Sequence, residues 1–186
     1  RTELMKTIYG DYSLDSGVIL INGKEVKIKS PVSAIRHGLA LVPENRKTEG
    51  LILMLALDEN IALPNTDLTS KHGYVLKNKK RKLAEEYINS MSIRPPYYNK
   101  AMEDFSGGNQ QKVVVAKWLA AQPHVIIMDE PTRGVDIYAK REIYEIINQM
   151  TENGISVIVI SSEMSEVMGI CDRIVVMHEG ELRSEE

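Results

Sequence analysis

The spacing of apolar and polar positions divides the chain into short elements of two kinds. Residues 125–128, Val-Ile-Ile-Met, form an apolar run without polar alternation, the pattern of a strand covered on both faces of a parallel sheet. Residues 155–160 read as a second buried strand, and residues 39–42 and 174–177 as further short strands. Residues 18–21 and 25–28 flank Asn22-Gly23, which predicts a hairpin, and Glu179-Gly180 predicts a turn into a short last strand. The helical spacing is equally clear. Residues 1–9 place Leu4, Met5 and Ile8 on one face and close at Gly10. Residues 31–37 predict a short helix ending at Gly38, and residues 77–91 one with Ala84, Tyr87, Ile88 and Met91 on one face. Residues 113–122 are nearly apolar all round apart from Lys117 and stop at Pro123, so that helix is buried. An amphipathic helix runs from Asp136 to about Asn153, with Ile143, Ile147 and Met150 as its stripe and Gly154 as its stop. Residues 164–171 predict one more helix, whereas residues 64–73 and Arg94-Pro95-Pro96-Tyr97-Tyr98 read as turns and breaks.

Composition narrows the class. The 186 residues suffice for one domain with a real core, and 43% hydrophobic with 26% charged residues describes a globular chain. The net charge, 23 − 26 = −3, gives no support to nucleic-acid binding. The basic cluster Lys77, Lys79, Lys80, Arg81 and Lys82 is followed at once by Glu85 and Glu86, as on a solvated helix face. A single cysteine, Cys171, excludes an internal disulfide framework. No apolar run approaches the length of a bilayer span.

The chemistry concentrates in residues 105–136. Phe105-Ser106-Gly107-Gly108-Asn109-Gln110-Gln111-Lys112 opens the buried helix, where Ser106 can cap and the glycines let a phosphate approach backbone N–H groups. The strand that follows delivers Asp129 and Glu130 at its C-terminal end, where open α/β sheets bind ligands. If that strand continues, the two carboxylates point oppositely and cannot share one task. Taken singly, these are a loop and a strand running into a turn. Together, in this order and separated by one buried helix, they and Thr132-Arg133-Gly134-Val135-Asp136 closely resemble the signature motif and Walker B of ATP-binding cassette (ABC) ATPases.

That resemblance implies an α/β fold: a P-loop NTPase cassette with a mainly parallel sheet flanked by helices and an inserted helical subdomain. Residues 1–50 would be a partial nucleotide-binding core, residues 51–104 the helical subdomain, and residues 105–186 the signature, Walker B, D-loop and switch region. ATP and Mg²⁺ are the implied ligands. Thr2 and Asp129 would hold Mg²⁺, and Glu130 would polarise the attacking water as general base. Ser106, Gly107 and Gly108 would offer a hydroxyl and backbone N–H groups to the γ-phosphate of an opposite site, Asn109 and Gln110 would be nucleotide-binding residues beside them, and Asp136 would lie at the interface between cassettes. Arg1 and Thr2 stand where Walker A usually ends in Lys and Ser or Thr. The glycines of that loop and the strand before it do not appear in the chain. In the family that strand lies between the strands read at 155–160 and 174–177, so the isolated chain is expected to unfold easily and to be inactive.

Three departures narrow the likeness. Arg1-Thr2-Glu3, Pro43-Glu44-Asn45-Arg46-Lys47 and Ser161-Ser162-Glu163 resemble the C-terminal cassette of the ATPase subunits of bacterial simple-sugar importers of the ribose, galactose and xylose type. The implied partners are the N-terminal cassette of the same subunit, a membrane permease and, through it, a substrate-binding protein, with no nucleic acid. The implied place is the cytoplasmic face of the inner membrane. Glu44 puts a negative charge where the Q-loop carries a neutral amide. Ser162 replaces the switch His, and Arg1 replaces a compact ammonium with a planar fork. The cassette's own site is therefore expected to be poor, its signature serving a competent partner site. A regulatory domain that closes on ATP without hydrolysis is the alternative. ABC proteins of DNA repair or translation usually carry long coiled-coil or linker insertions, which this chain lacks. The permease contact is expected at residues 44–63, where Leu51, Leu53, Met54 and Leu55 cluster, although burial in the subdomain explains them equally well.

Overall fold

A computed structural model describes residues 1–185. Its centre is a parallel sheet of three strands in the order β3-β6-β7, formed by β3 (Leu39–Val42), β6 (Val125–Asp129) and β7 (Ser156–Ile160). Before it come α1 (Thr2–Tyr9), the antiparallel hairpin β1 (Ile19–Ile21) and β2 (Lys24–Val26), and α2 (Pro31–Arg36). After β3 come a π-helical turn at Arg46–Gly50, α3 (Leu57–Ala62), α4 (Thr66–Thr69), a small hairpin of β4 (Ser70–Lys71) and β5 (Tyr74–Val75), and α5 (Lys77–Ser90). Helix α6 (Gly107–Leu119) leads into β6, and α7 (Ile137–Glu152) leads from β6 to β7. The described chain closes with α8 (Met164–Ile170) and the hairpin of β8 (Val175–His178) with β9 (Glu181–Glu185).

Strand alternation decides which residues go to which face of the sheet. Ala40, Val42, Ile126 and Met128 pack on one side with α3, α5, α6 and α7, through Leu57, Ile61, Ala84, Ile88, Val113 to Ala116, Ile143 and Ile147. Leu39, Leu41 and Ile127 pack on the other with Tyr9, Ile28 and Ala34. The helical stretch between β3 and α6 thus shares one continuous core with the sheet. Helix α6 is buried along most of its length, as its nearly all-round apolar pattern predicts. The α5 face of Ala84, Ile88 and Met91 is buried as predicted. Its basic side is paired, Lys80 reaching inward to the buried Asp58 at 3.2 Å and Arg81 lying on Glu85 at 2.8 Å at the exposed surface.

Two expectations are corrected. The strand read at 155–160 is not buried on both faces: Ser156 and Ile158 are exposed, Ile158 at 39%. The reason is position, since β7 is paired only with β6 and β8 is paired only with β9 among the described residues. Taken alone, Pro43-Glu44-Asn45-Arg46-Lys47 reads as a polar surface loop, and the chain instead enters a π-helical turn there. Asn45 caps the π-helical turn through its side-chain oxygen, which accepts from Lys47 N and Thr48 N. Lys6 pairs with Glu49 at 3.1 Å, tying that turn to α1. Leu51 of the apolar stretch is core, whereas Met54 is 79% exposed.

Candidate functional site

The C-terminal ends of β3, β6 and β7 bring four of the predicted residues into one neighbourhood. Asp129 ends β6 and is 3% exposed, and its Oδ1 is buried without a hydrogen-bond partner. The strand stops there. Glu130 takes a left-handed backbone (φ 47°) and donates its N–H to Ile160 O at 2.8 Å, so the chain turns between the two carboxylates. Ser162 Oγ donates to Glu130 Oε2 at 3.3 Å. Arg1 Nη1 donates to Ser161 O at 2.9 Å, which places the start of α1 beside the same loop. Thr2 is the first residue of that helix.

Glu44 does not carry a bare charge. Its carboxylate pairs with the guanidinium of Arg133, three residues beyond Glu130 in the chain. The negative charge at this position thus has a cationic partner in the same chain, in a pair whose side chains are 66% and 38% exposed. A second ion pair closes the far side, with Lys140 Nζ at 2.6 and 2.7 Å from the two oxygens of Glu163. That pairing, the Glu163 hydrogen bond first, holds the Lys140 ammonium above its usual range. Glu130, Arg133, Lys140, Ser162 and Glu163 are among the residues lining a cavity of about 470 Å³. Beneath it Glu166, 3% exposed, accepts from Thr132 Oγ1 at 2.9 Å and from Ser161 Oγ, which locks the loops after β6 and β7 together.

The signature residues form a separate cleft of about 320 Å³. Ser106 Oγ caps α6, accepting from Asn109 N at 3.4 Å and from Asn109 Nδ2 at 2.9 Å. Asn109 Oδ1 in turn accepts from Arg94 N at 2.7 Å. A Cβ on Gly108 would lie 2.5 Å from Ala139 Cβ, so α6 and α7 meet there only because the position is glycine. Asp136 caps α7, its carboxylate accepting from Tyr138 N and Ala139 N. Gln110 is turned inward and donates to Met102 O at 3.0 Å, so its amide is committed to the loop before the motif.

No cluster of three or more His, Cys, Asp or Glu suited to a metal exists among the described residues. Mg²⁺ in phosphate-binding sites takes only one or two protein oxygens, the rest being water and phosphate. The orphaned buried oxygen of Asp129 fits that role.

The sequence profile of the ABC transporter family matches residues 1–133. The chain belongs to that family. The ribose import ATP-binding protein RbsA of Bacillus cereus is 50% identical to it over 183 residues, which are 98% of this chain and 37% of that protein. The xylose import ATP-binding protein XylG of Thermoanaerobacter pseudethanolicus is 47% identical over 186 residues, 100% of this chain and 37% of that protein. The chain thus spans little more than a third of the length of these relatives. Among solved structures, a dimeric ABC cassette in a post-hydrolysis state with ADP and Pi superposes with a TM-score of 0.81 at 24% identity, covering 100% of this chain and 79% of that one. A nucleotide-free cassette from an ABC transporter superposes with a TM-score of 0.85 at 19% identity, covering 99% and 74%. These two likenesses establish the cassette fold.

Four residues of the site had no role assigned from the sequence: Arg46 and Arg133, which stand inside quoted motifs, and Lys140 and Glu166. Only Arg133 had a positional signal, its place beside the carboxylate pair. The other three are recognised by contacts to residues far along the chain.

Proposed function

We propose that this chain is an ATP-binding and ATP-hydrolysing cassette that energises import of a monosaccharide across a bacterial inner membrane. Its own site is impaired and its signature motif completes the site of a partner cassette. What supports this reading most is the separation of the two clefts, which share no lining residue. One holds an acid–base candidate beside an orphaned carboxylate oxygen, and the other a capped helix start with close-packed glycines. A single chain equipped with two such halves contributes to two different nucleotides. The names of the relatives, ribose and xylose import ATP-binding proteins, point to the substrate class.

Phosphoryl transfer to water asks the protein for positioning and charge, not covalent chemistry. Glu130 is placed to accept a proton from the attacking water once Ser162 releases its hydrogen bond. Asp129 and Thr2 would hold Mg²⁺, which would supply charge neutralisation on the phosphates. Ser106 and the backbone N–H groups of Gly107 and Gly108 offer donors to a γ-phosphate across the cassette interface, at the positive end of α6. Ser162 cannot become cationic, which leaves the chain's own site short of one positive charge.

Partners follow from this reading: an N-terminal cassette of the same subunit, permease subunits near the exposed Met54, and a substrate-binding protein reached through the permease. The place is peripheral, on the cytoplasmic face of the inner membrane. No helix of the described residues is long and apolar enough to cross a membrane. The test is hydrolysis of MgATP by the full-length protein, with and without permease. Turnover that needs Mg²⁺ and rises with permease is expected. Tight ATP binding with no turnover would favour the regulatory alternative.

A further inference from the structure

Arg46 stands in the Pro43–Lys47 stretch but was assigned no role there, and its guanidinium touches two of the segments that line the clefts. Nη1 donates to Arg133 O at 2.9 Å and Nη2 to Gly134 O at 3.1 Å. A Cβ on Gly107 would lie 2.7 Å from Nη2 and 3.5 Å from Gly134 O. The backbone of the signature therefore rests directly on the Arg46 fork. Arg46 Nε is buried without a partner, and burial lowers the guanidinium below its usual value while leaving it charged.

The base of Arg46 is equally fixed. It opens the π-helical turn, whose far end, Gly50 O, accepts from the buried Lys117 Nζ of α6. The flank of the turn is tied to α1 through Glu49 and Lys6. Two residues before Arg46, Glu44 pairs with the side chain of Arg133. Glu44 and Arg46 thus grip residues 133–134 by side chain and by backbone together. Arg46 thus stands between this loop and Gly107.

We propose that Arg46 is a positioning residue that keeps the two clefts of this cassette in register, transmitting movement of the loop after Glu130 to the signature backbone. The proposal rests on the reading above, in which both clefts serve ATP. A planar fork bonds two successive carbonyls from two separate nitrogens while presenting a flat edge to a glycine. A lysine gathers its donors on a single nitrogen and does not reproduce that two-point hold.

The experiment is a double-mutant cycle in the full-length protein, read by MgATP hydrolysis and by hydrogen exchange. Arg46→Lys should lower kcat about tenfold and leave KM for ATP within about threefold. Gly107→Ala should have a similar effect, because the new methyl points at Nη2. In an Arg46→Ala background, adding Gly107→Ala should cost less than about twofold, since the atom it displaces is gone. Additive losses would overturn the proposal. Independently of hydrolysis, the amides of Arg133 and Val135, bonded to Glu130 O and Thr132 O, should exchange about tenfold faster in nucleotide-free Arg46→Lys, with α6 protection unchanged as a control on folding. Unchanged exchange at these amides would overturn it even if ATPase fell. Should the protein hydrolyse no ATP at all, the function proposed above fails, and the exchange result still decides whether Arg46 positions this loop.

Discussion

The two clefts lie close together and differ in the donors they offer. The signature cleft has a capped helix start with backbone N–H groups on its α6 side, where Gly108 lets α6 and α7 touch, and Asp136, Arg141, Glu142 and Glu145 on its α7 side. Its donors are held in place before any ligand arrives. The cleft around Glu130 is made from charged side chains that already have protein partners: Glu44 with Arg133, Lys140 with Glu163, Ser162 with Glu130, and Arg1 with Ser161 O. A phosphate entering the first cleft meets backbone N–H groups already fixed by the helix. A phosphate entering the second must compete with, or rearrange, existing pairs. Preorganised donors cost nothing to reorganise at the moment of reaction, which makes the first kind of site the better catalyst. The contrast supports asymmetric use of the two clefts.

The contrast is broken most strongly from the signature side. Ser106→Arg or Gly108→Asp in the full-length protein should lower ATPase on the order of a hundredfold. The first fills the helix start, and the second drives a side chain into Ala139. Steady-state hydrolysis at saturating ATP measures both. A smaller effect is expected at the surface next to the turn after β3. Met54→Asp should lower sugar uptake about tenfold while ATP binding stays within about twofold, because this side chain is exposed and carries no core packing. Leu51 is unsuitable for the same test, since its burial would make a charged replacement a folding defect. Retained uptake would put the permease contact elsewhere.

From the Glu130 side the expected change is a gain. Glu44→Gln with Ser162→His should raise hydrolysis at this cassette's own site by about threefold to tenfold, measured with the other site inactivated. Glu44→Gln alone should do less, because it leaves Arg133 without its carboxylate. The smallest effect is on stability. Burial pushes the Lys117 ammonium down to about 8 from an ordinary value of 10.5. Between those values the unfolded chain binds more protons than the folded one, so stability rises with pH across this window and is lost as pH falls through 8. Urea unfolding at pH 7 and pH 10 should show that rise, up to about 3 kcal/mol, and Lys117→Met should remove it.

How much of this was legible in the sequence depended on whether an element's neighbours mattered. Helix α6 and strand β6 carry their burial in composition: no polar side chain interrupts Val125 to Met128, and apart from Lys117 none interrupts the run after Lys112. The hairpin at Asn22-Gly23 and the stop at Gly10, with φ 82°, follow from local turn chemistry. The exposure of β7 was not legible. Val157, Ile158, Val159 and Ile160 compose like a central strand, and only the absence of a second pairing edge among the described residues distinguishes them. The turn at Arg46–Gly50 was not legible either, being made of polar residues whose order is imposed by Lys6 and Lys117 from elsewhere in the chain. In the site, Ser106, Asp129 and Glu130 could be named from motif and strand-end position. The partner of Glu44 could not, because a charge on a loop says nothing about which distant loop meets it.

The central claim is the inequality of the two clefts, and one paired measurement addresses it directly. In the full-length protein, Ser106→Arg and Glu130→Gln are compared by steady-state MgATP hydrolysis under identical conditions. The account predicts that Ser106→Arg removes nearly all turnover, while Glu130→Gln leaves roughly half or more. Equal losses, or a larger loss for Glu130→Gln, would contradict it.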